Sequence, residues 1–221
     1  MCRNLPGMSP RGRFIVLEGG EGVGKTTQAE RLAVRLGARL TREPGGTVLG
    51  EATRTLLLDP RLDSVAPRAE LLLMVAARAQ HVAEVILPAL ESGRDVVCDR
   101  FSGSTLAYHG FGRGLPLAEV RLACELATSG LEPDRTILID IDPGLAATRP
   151  RADRPDRIEA AGADFHERVR RGFLELAAGP GWVVVDGAAP PDEVAAAIDA
   201  AIDALSAPTA TPAGRAGAAP T

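Results

Sequence analysis

Hydrophobic positions along the chain fall into two alternating kinds of segment. The short apolar runs RFIVLEG (13–19), RDVVCDR (94–100), RTILIDID (135–142) and GWVVVDG (181–187) end in glycine or charge, and each reads as a buried strand. A further strand is expected around Arg39 to Thr41. Between the strands the apolar spacing becomes helical. Ala29, Leu32, Ala33 and Leu36 mark one face of a helix from Gly24 to Leu36, with Gly37 as its stop. Helices are also expected over 49–58, 67–90, 117–128, 164–178 and 192–205. The segment over 67–90 is the most apolar, with Pro88 bending or ending it. Strands alternating with helices predict an α/β, three-layer sandwich: a mostly five-stranded parallel sheet flanked by helices.

The ends lack this patterning. Residues 1–12 and 206–221 are expected to be disordered, around a single domain over 13–205. The length of 221 residues suits one such domain. No run approaches the roughly 18 apolar residues of a membrane span, and the first dozen residues carry no apolar signal core. Neither a membrane nor export is therefore expected. A net charge of -4 without long basic runs gives no footprint for nucleic acid, so a small anionic ligand remains. Cys2, Cys98 and Cys124 are scattered, which fits a reducing cytoplasm. His81, His109 and His166 have no zinc-ligand spacing.

Charge becomes informative once the basic residues are separated by type: 24 are arginine and one is lysine, Lys25. That lysine lies in GGEGVGKT, which matches G-x-x-x-x-G-K-[ST] between a predicted strand and a predicted helix. In such a loop, successive backbone N–H groups cradle phosphates at the positive end of the helix. Gly19, Gly20, Glu21, Gly22, Val23, Gly24, Lys25, Thr26 and Thr27 are the expected ATP-binding residues. Lys25 can reach the β- and γ-phosphates, and Thr26 offers a hydroxyl to Mg²⁺. The fold is thus a P-loop NTPase. A guanine-reading NKxD motif is impossible without a second lysine, which puts GTPase switching behind the alternatives.

Other clusters point to a second, anionic ligand. Asp99-Arg100 ends the strand over 94–100, at the sheet edge where α/β proteins bind ligands. Asp99 can hold magnesium or its waters, and Arg100 can clamp a phosphate bidentately. Arg54 and Arg78 lie on helices reached from the same edge. Each arginine taken alone is equally an ordinary surface charge.

FIVLEGGEGVGKTTQ, TREPGGTVLGE, DRFSGSTLAYHGFGRG and DRIE followed by FHERVRRGFLELA together resemble bacterial thymidylate kinase, of the nucleoside monophosphate kinase superfamily. The resemblance spans about Arg13 to Leu205 and implies γ-phosphoryl transfer from ATP to dTMP with Mg²⁺ in a homodimer. It makes Arg100 the ligand of the acceptor phosphate, assisted by Arg54 and, through its neighbours, by Glu43. Arg78 would hydrogen-bond the thymine edge, Ser104 and Thr105 would meet the base, and Tyr108 would pack on the deoxyribose. Glu21 would pair with a catalytic arginine of a lid over about 149–157, with Arg149 and Arg151 favoured and Arg154 next. Lys25, Glu21 and Arg100 complete the expected catalytic set.

Two positions depart from the family pattern. Met74 stands where a phenylalanine usually stacks on thymine, and His109 where glutamine is usual; His109 is given no catalytic role. Met74 keeps open a kinase for another nucleoside monophosphate or a deoxynucleoside. A nucleotide-binding module without turnover is the remaining alternative. The second phosphate site argues against it, because an ATP sensor has no use for one.

Overall fold

The computed structural model describes residues 11–62, 64–149 and 156–205. Its centre is β1 (Phe14–Glu18), whose residues are all buried. It pairs in parallel with β3 (Val96–Asp99) on one side and β4 (Arg135–Asp140) on the other. β2 (Arg39–Arg42) extends the sheet beyond β3 and β5 (Trp182–Asp186) beyond β4, so the order is β2-β3-β1-β4-β5. The helices are α1 (Lys25–Leu36), α2 (Val48–Leu58), α3 (Pro67–His81), α4 (Leu87–Glu91), α5 (Ser102–Thr105), α6 (Leu117–Thr128), α7 (Pro143–Ala147), α8 (Ala163–Ala177) and α9 (Pro191–Asp203).

Alternation along β1 sends its side chains to two separate cores. Ile15 and Leu17 pack with Leu32 of α1 and Ile198 and Ile202 of α9. Phe14 and Val16 pack with Val82, Ile86 and Leu90 from the α3–α4 helix and with Phe101. A third cluster, with Tyr108 and Leu138 against Phe165, Val169 and Phe173 of α8, closes the same outer layer. Both faces of the sheet are thus covered, which is why its strands read as continuous apolar runs.

Pro88 does not end the long helix. The helix passes through a π-helical turn over Val82–Ile86, where the N–H of Leu87 donates to the carbonyl of Val82, and continues as α4 to Glu91. The shift from i−4 to i−5 bonding breaks the regular ladder immediately before the residue that has no N–H to give. The helix over Pro67–Glu91 is long and apolar enough to cross a membrane by length and composition. In the fold it buries Glu70, Arg78 and His81 against the domain.

Two helices were not anticipated from the sequence. Ser102 to Gly112, glycine-rich and polar, is helical throughout, as α5 and then a π-helical stretch over Leu106–Gly112. Its start is capped from another strand: Glu18 Oε1 accepts the N–H groups of Phe101 at 3.0 Å and of Ser104 at 2.9 Å. The other is α7, where Asp142 accepts from the N–H groups of Gly144 and Leu145 and Pro143 supplies the first turn. Of the expected N-terminal extension, Arg11 and Gly12 are tied to the fold: Arg11 pairs with Asp134 at 2.7 Å and Gly12 N–H donates to Leu90 O. Residues 1–10 and the expected tail, 206–221, lie outside the described residues.

Candidate active site

The phosphate loop leaves β1 at Glu18 and enters α1 at Lys25. Gly19 has φ 148, and a Cβ there would meet the carbonyl oxygen of Ile139 at 2.5 Å. Gly24 has φ 93, in the left-handed region, as the N-cap of α1. Side chains are excluded from these turns so that backbone can line the cleft. Val23 is buried in the core beneath the loop. Lys25 is 6% exposed, and its ammonium donates to the carbonyl of Gly20. Burial first, and the Arg100 charge second, pull the Lys25 amine down to about 8, against the opposing pull of Glu21, Asp99 and Glu18.

Register brings the other motif residues to the same edge. Asp99 at the end of β3 lies opposite Leu17 of β1 and Arg42 of β2. Thr26 Oγ1 donates to Asp99 Oδ2 at 2.6 Å. Asp99 Oδ1 is buried with no hydrogen-bond partner among the described residues. A carboxylate and a hydroxyl, with one carboxylate oxygen unused, make a hard-oxygen donor set that fits Mg²⁺ bound directly or through its waters.

Arg100 leaves β3 at φ 72, unusual for a residue with a side chain. This conformation turns the guanidinium back over the loop. It donates to Gly19 O at 2.9 Å, to Ser104 Oγ at 3.0 Å and to Glu21 Oε1 at 2.7 Å. Burial disfavours its charge, but Glu21, Tyr108 and Asp99 outweigh that, and the guanidinium stays a firm cation. Burial alone would raise the Glu21 carboxyl; Arg100, Lys25 and the Tyr108 hydroxyl hold it instead at about 2. Tyr108 donates to the same Glu21 oxygen at 2.7 Å, and burial pushes its own hydroxyl well above the usual range. Tyr108 is therefore a neutral donor.

Two hollows share Glu21 and Arg100 in their walls. One, of about 360 Å³, is lined by Glu21, Gly22, Gly24, Lys25, Thr26, Thr27, Asp99 and Arg100, with Arg42, Glu43 and Arg54 on its far side. The other, about 90 Å³, shares Glu21, Glu43, Arg54 and Arg100 and runs on past Ser104, Thr105 and Tyr108 to Met74. The structure thus places the two motif clusters of the sequence around two adjoining hollows, with Glu21 and Arg100 in the walls of both. Arg54 reaches it from α2 and donates to Pro44 O at 3.2 Å.

Arg78 is placed differently from its neighbours. It is 1% exposed and absent from the residues lining the narrower hollow. Its Nε donates to Glu43 Oε2 at 2.7 Å and its Nη2 to Thr105 Oγ1 at 2.7 Å. Glu43 Oε1 in turn meets His81 Nδ1 at 2.9 Å, and His81 Nε2 meets Thr41 Oγ1 at 2.6 Å. A buried chain therefore runs behind the cavity, with Arg78 holding the two wall residues Glu43 and Thr105.

Six wall residues were missed by sequence reasoning: Pro44, Leu58, Glu70, His109, Asp156 and Ile158. Glu70 and His109 are buried, so their place in the wall depends on which helices meet. The DRIE motif was legible, but nothing local shows that it returns to this cavity.

Of the lid arginines, Arg149 follows α7 and donates to Gly187 O at 2.6 Å and to Gly22 O at 3.3 Å. It therefore bridges the phosphate loop and the turn after β5. Arg151 and Arg154 lie outside the described residues.

Comparison with known proteins agrees over almost the same span. The family model for thymidylate kinase matches residues 17–198. Thymidylate kinase of Deinococcus radiodurans is 50% identical over 200 residues, covering 87% of this chain and 97% of that protein. The thymidylate kinase of Carboxydothermus hydrogenoformans is 48% identical over 191 residues, covering 83% and 93%. The crystal structure of thymidylate kinase from Ehrlichia chaffeensis superimposes with a TM-score of 0.72 at 32% identity, covering 87% of this chain and 99% of that one. Phosphate loop, adjoining hollow and these relatives converge on one assignment: the chain belongs to the thymidylate kinase family.

Proposed function

We propose that the enzyme transfers the γ-phosphoryl group of ATP to dTMP across the junction formed by Glu21 and Arg100. The observation that carries this reading is the pair of hollows sharing Arg100 and Glu21, one lined also by Lys25 and the other by Met74, Thr105 and Tyr108. ATP is read into the phosphate loop with its γ-phosphate toward Arg100. The acceptor monophosphate is read into the narrower hollow, its phosphate against Arg100 and Arg54 and its base toward Met74.

A phosphomonoester has its second pKa near ~6, so the acceptor is already mostly dianionic at neutral pH and requires no general base. An acceptor phosphate oxygen forms the new bond to the γ-phosphorus, the bond from that phosphorus to the β–γ bridging oxygen breaks, and ADP leaves with the electron pair. The protein's part is to align two anions and offset their charge. Lys25 and Arg100 supply positive charge on either side of the moving phosphoryl, and Arg149 covers the phosphate loop. Thr26 and Asp99 would hold Mg²⁺, which would supply positive charge against the phosphates as a Lewis acid. Tyr108, held by Glu21, fills the space beside the sugar.

A homodimer is proposed on a separate ground. Leu72 of α3 and Leu122 and Leu126 of α6 are 62%, 67% and 83% exposed on two helices that pack against each other. Burying such side chains against a second copy would remove them from water. A cytoplasmic location follows from the reaction's substrates and the unpaired thiols Cys98 and Cys124.

Coupled ADP release with ATP-Mg²⁺ and a panel of dTMP, dUMP, UMP, CMP, AMP and thymidine tests the reading. Turnover with dTMP well above the others is expected. No dTMP-dependent ADP release would end it, and faster turnover of CMP or AMP would favour the second reading that Met74 keeps open.

A further inference from the structure

Glu70 of α3 is 2% exposed. A carboxylate so placed is costly unless positive groups meet it. Three side chains do, from three stretches of chain. Arg157 Nη2 approaches Oε2 to 2.6 Å. Arg113 reaches Oε1 and Oε2, each at 3.3 Å. His109 Nε2 lies 3.3 Å from Oε1. Burial alone would raise the Glu70 carboxyl, yet His109 and Arg113 bring it to about 2.

Two of these partners carry the walls of the acceptor-side hollow. Arg157 sits between Asp156 and Ile158, both of which line it. Arg157 forms an ion pair with Glu70 and donates one hydrogen bond, from Nε at 3.0 Å to the carbonyl of Leu57 at the end of α2. Fixing Arg157 therefore fixes its two neighbours against the hollow. His109 lines the hollow itself, with Nδ1 3.2 Å from the carbonyl of Thr105 and Nε2 facing Glu70. Its ring is thus hydrogen-bonded at Nδ1, while Nε2 is buried beside the carboxylate without a hydrogen-bond partner among the described residues. Arg113 braces the carboxylate from the other side, its guanidinium 4.7 Å over the Phe165 ring.

We infer that Glu70, itself part of the cavity wall, is a positioning residue for the acceptor nucleotide: through Arg157 and His109 it also sets the neighbouring walls of the acceptor cavity without touching the reacting atoms. The inference rests on assigning that cavity to the acceptor. It goes further in saying which buried group gives the cavity its shape, and that the segment returning at Asp156 is part of acceptor binding rather than of ATP binding.

The phosphate loop contains none of these contacts, so the effect on the two substrates should split. Steady-state kinetics on the full chain would compare the parent with Glu70→Gln, Arg157→Met, Arg157→Lys and the double variant Glu70→Gln/Arg157→Met. Glu119→Gln, which removes only the exposed pair with Arg68, is the control. The expected result is a dTMP KM raised about tenfold in Glu70→Gln and in Arg157→Met, the scale of one coupled contact, with the double variant no worse than either. ATP KM should stay within about twofold of the parent, because no group of the hub reaches the phosphate loop. Arg157→Lys, which keeps the charge, should recover part of the dTMP KM.

An unchanged dTMP KM in both single variants would overturn the inference, as would dTMP and ATP KM rising together or a strictly additive double variant. Should Glu70→Gln fail to fold, the Arg157 pair of variants, on a side chain at the edge of the hub, decides the matter alone. A parent with no dTMP-dependent ADP release would remove the assignment of the cavity itself. An active parent with unmoved variants would remove only the role of Glu70.

Discussion

Arg100 and Glu21 face each other across the junction of the two hollows, guanidinium Nη2 to carboxylate Oε1 at 2.7 Å. The arginine proposed to receive the acceptor phosphate is thus already paired with a carboxylate of the phosphate loop. An incoming dianion must share or displace that partner, and it meets the negative charge of Glu21 at close range. Glu21→Gln should therefore tighten dTMP binding by about 1 kcal/mol, roughly fivefold in Kd, a modest figure because the pair is partly exposed. Calorimetric titration checks this; weaker binding would mean that Glu21 helps hold the acceptor. The sign for stability is separate. The Glu21 carboxyl is depressed to about 2, so the pair's contribution is complete above the ordinary carboxylate range and disappears as pH falls toward that value.

Lys25 offers a chemical readout, because the chain has no other lysine. Burial and Arg100 lower its amine to about 8, so near that pH half of it is neutral and nucleophilic, whereas an ordinary lysine is still charged. Acylation of Lys25 should rise with pH through a midpoint near 8, and ATP-Mg²⁺ should both protect it and move the midpoint upward. Peptide mass mapping would follow the reaction. A midpoint near that of a free lysine would show that the amine is not desolvated in solution.

Asp99 has one carboxylate oxygen paired with Thr26 and one buried without a partner among the described residues. Asp99→Asn keeps the shape and the acceptor toward Thr26 but removes the charge. The Mg²⁺ concentration for half-maximal turnover should rise by about tenfold, the scale of one charge-assisted ligand contact. Saturating Mg²⁺ should restore part of the rate. An unchanged Mg²⁺ requirement would take Asp99 out of the metal site.

Met74 lines the far end of the acceptor-side hollow, where a flexible thioether can cover a base but holds it loosely. Met74→Phe should improve stacking by about 0.5–1.5 kcal/mol, roughly two- to twelvefold in dTMP Kd. The ratio of dTMP to CMP turnover should rise with it. A loss of dTMP affinity would show that the hollow is too narrow for a ring at this position.

What could be read from residue order was whatever has a short repeat or a contiguous motif. The five strands and the helix from Lys25 to Leu36 follow from local periodicity, and the strand–loop–helix context of Lys25 follows with them. Arg100, Ser104, Thr105 and Tyr108 were legible as a cluster because they share one contiguous motif. Resemblance to a family, rather than periodicity, attached them to an acceptor.

The helix over Ser102 to Gly112 was not legible, since its glycine-rich sequence is a poor helix former and its cap, Glu18, lies 83 residues before Phe101. Arg78 is buried because Glu43, 35 residues away in sequence, pairs with it. Glu70 is buried where Arg113 and Arg157, far along the chain, converge on it. In each case the deciding interaction is electrostatic and long-range in sequence. Chain order alone determined which elements form and where the phosphate loop lies, because those depend on neighbours in the chain. Which charges are buried, and which of them shape the acceptor cavity, was decided only when packing of the sheet and helices brought their partners together.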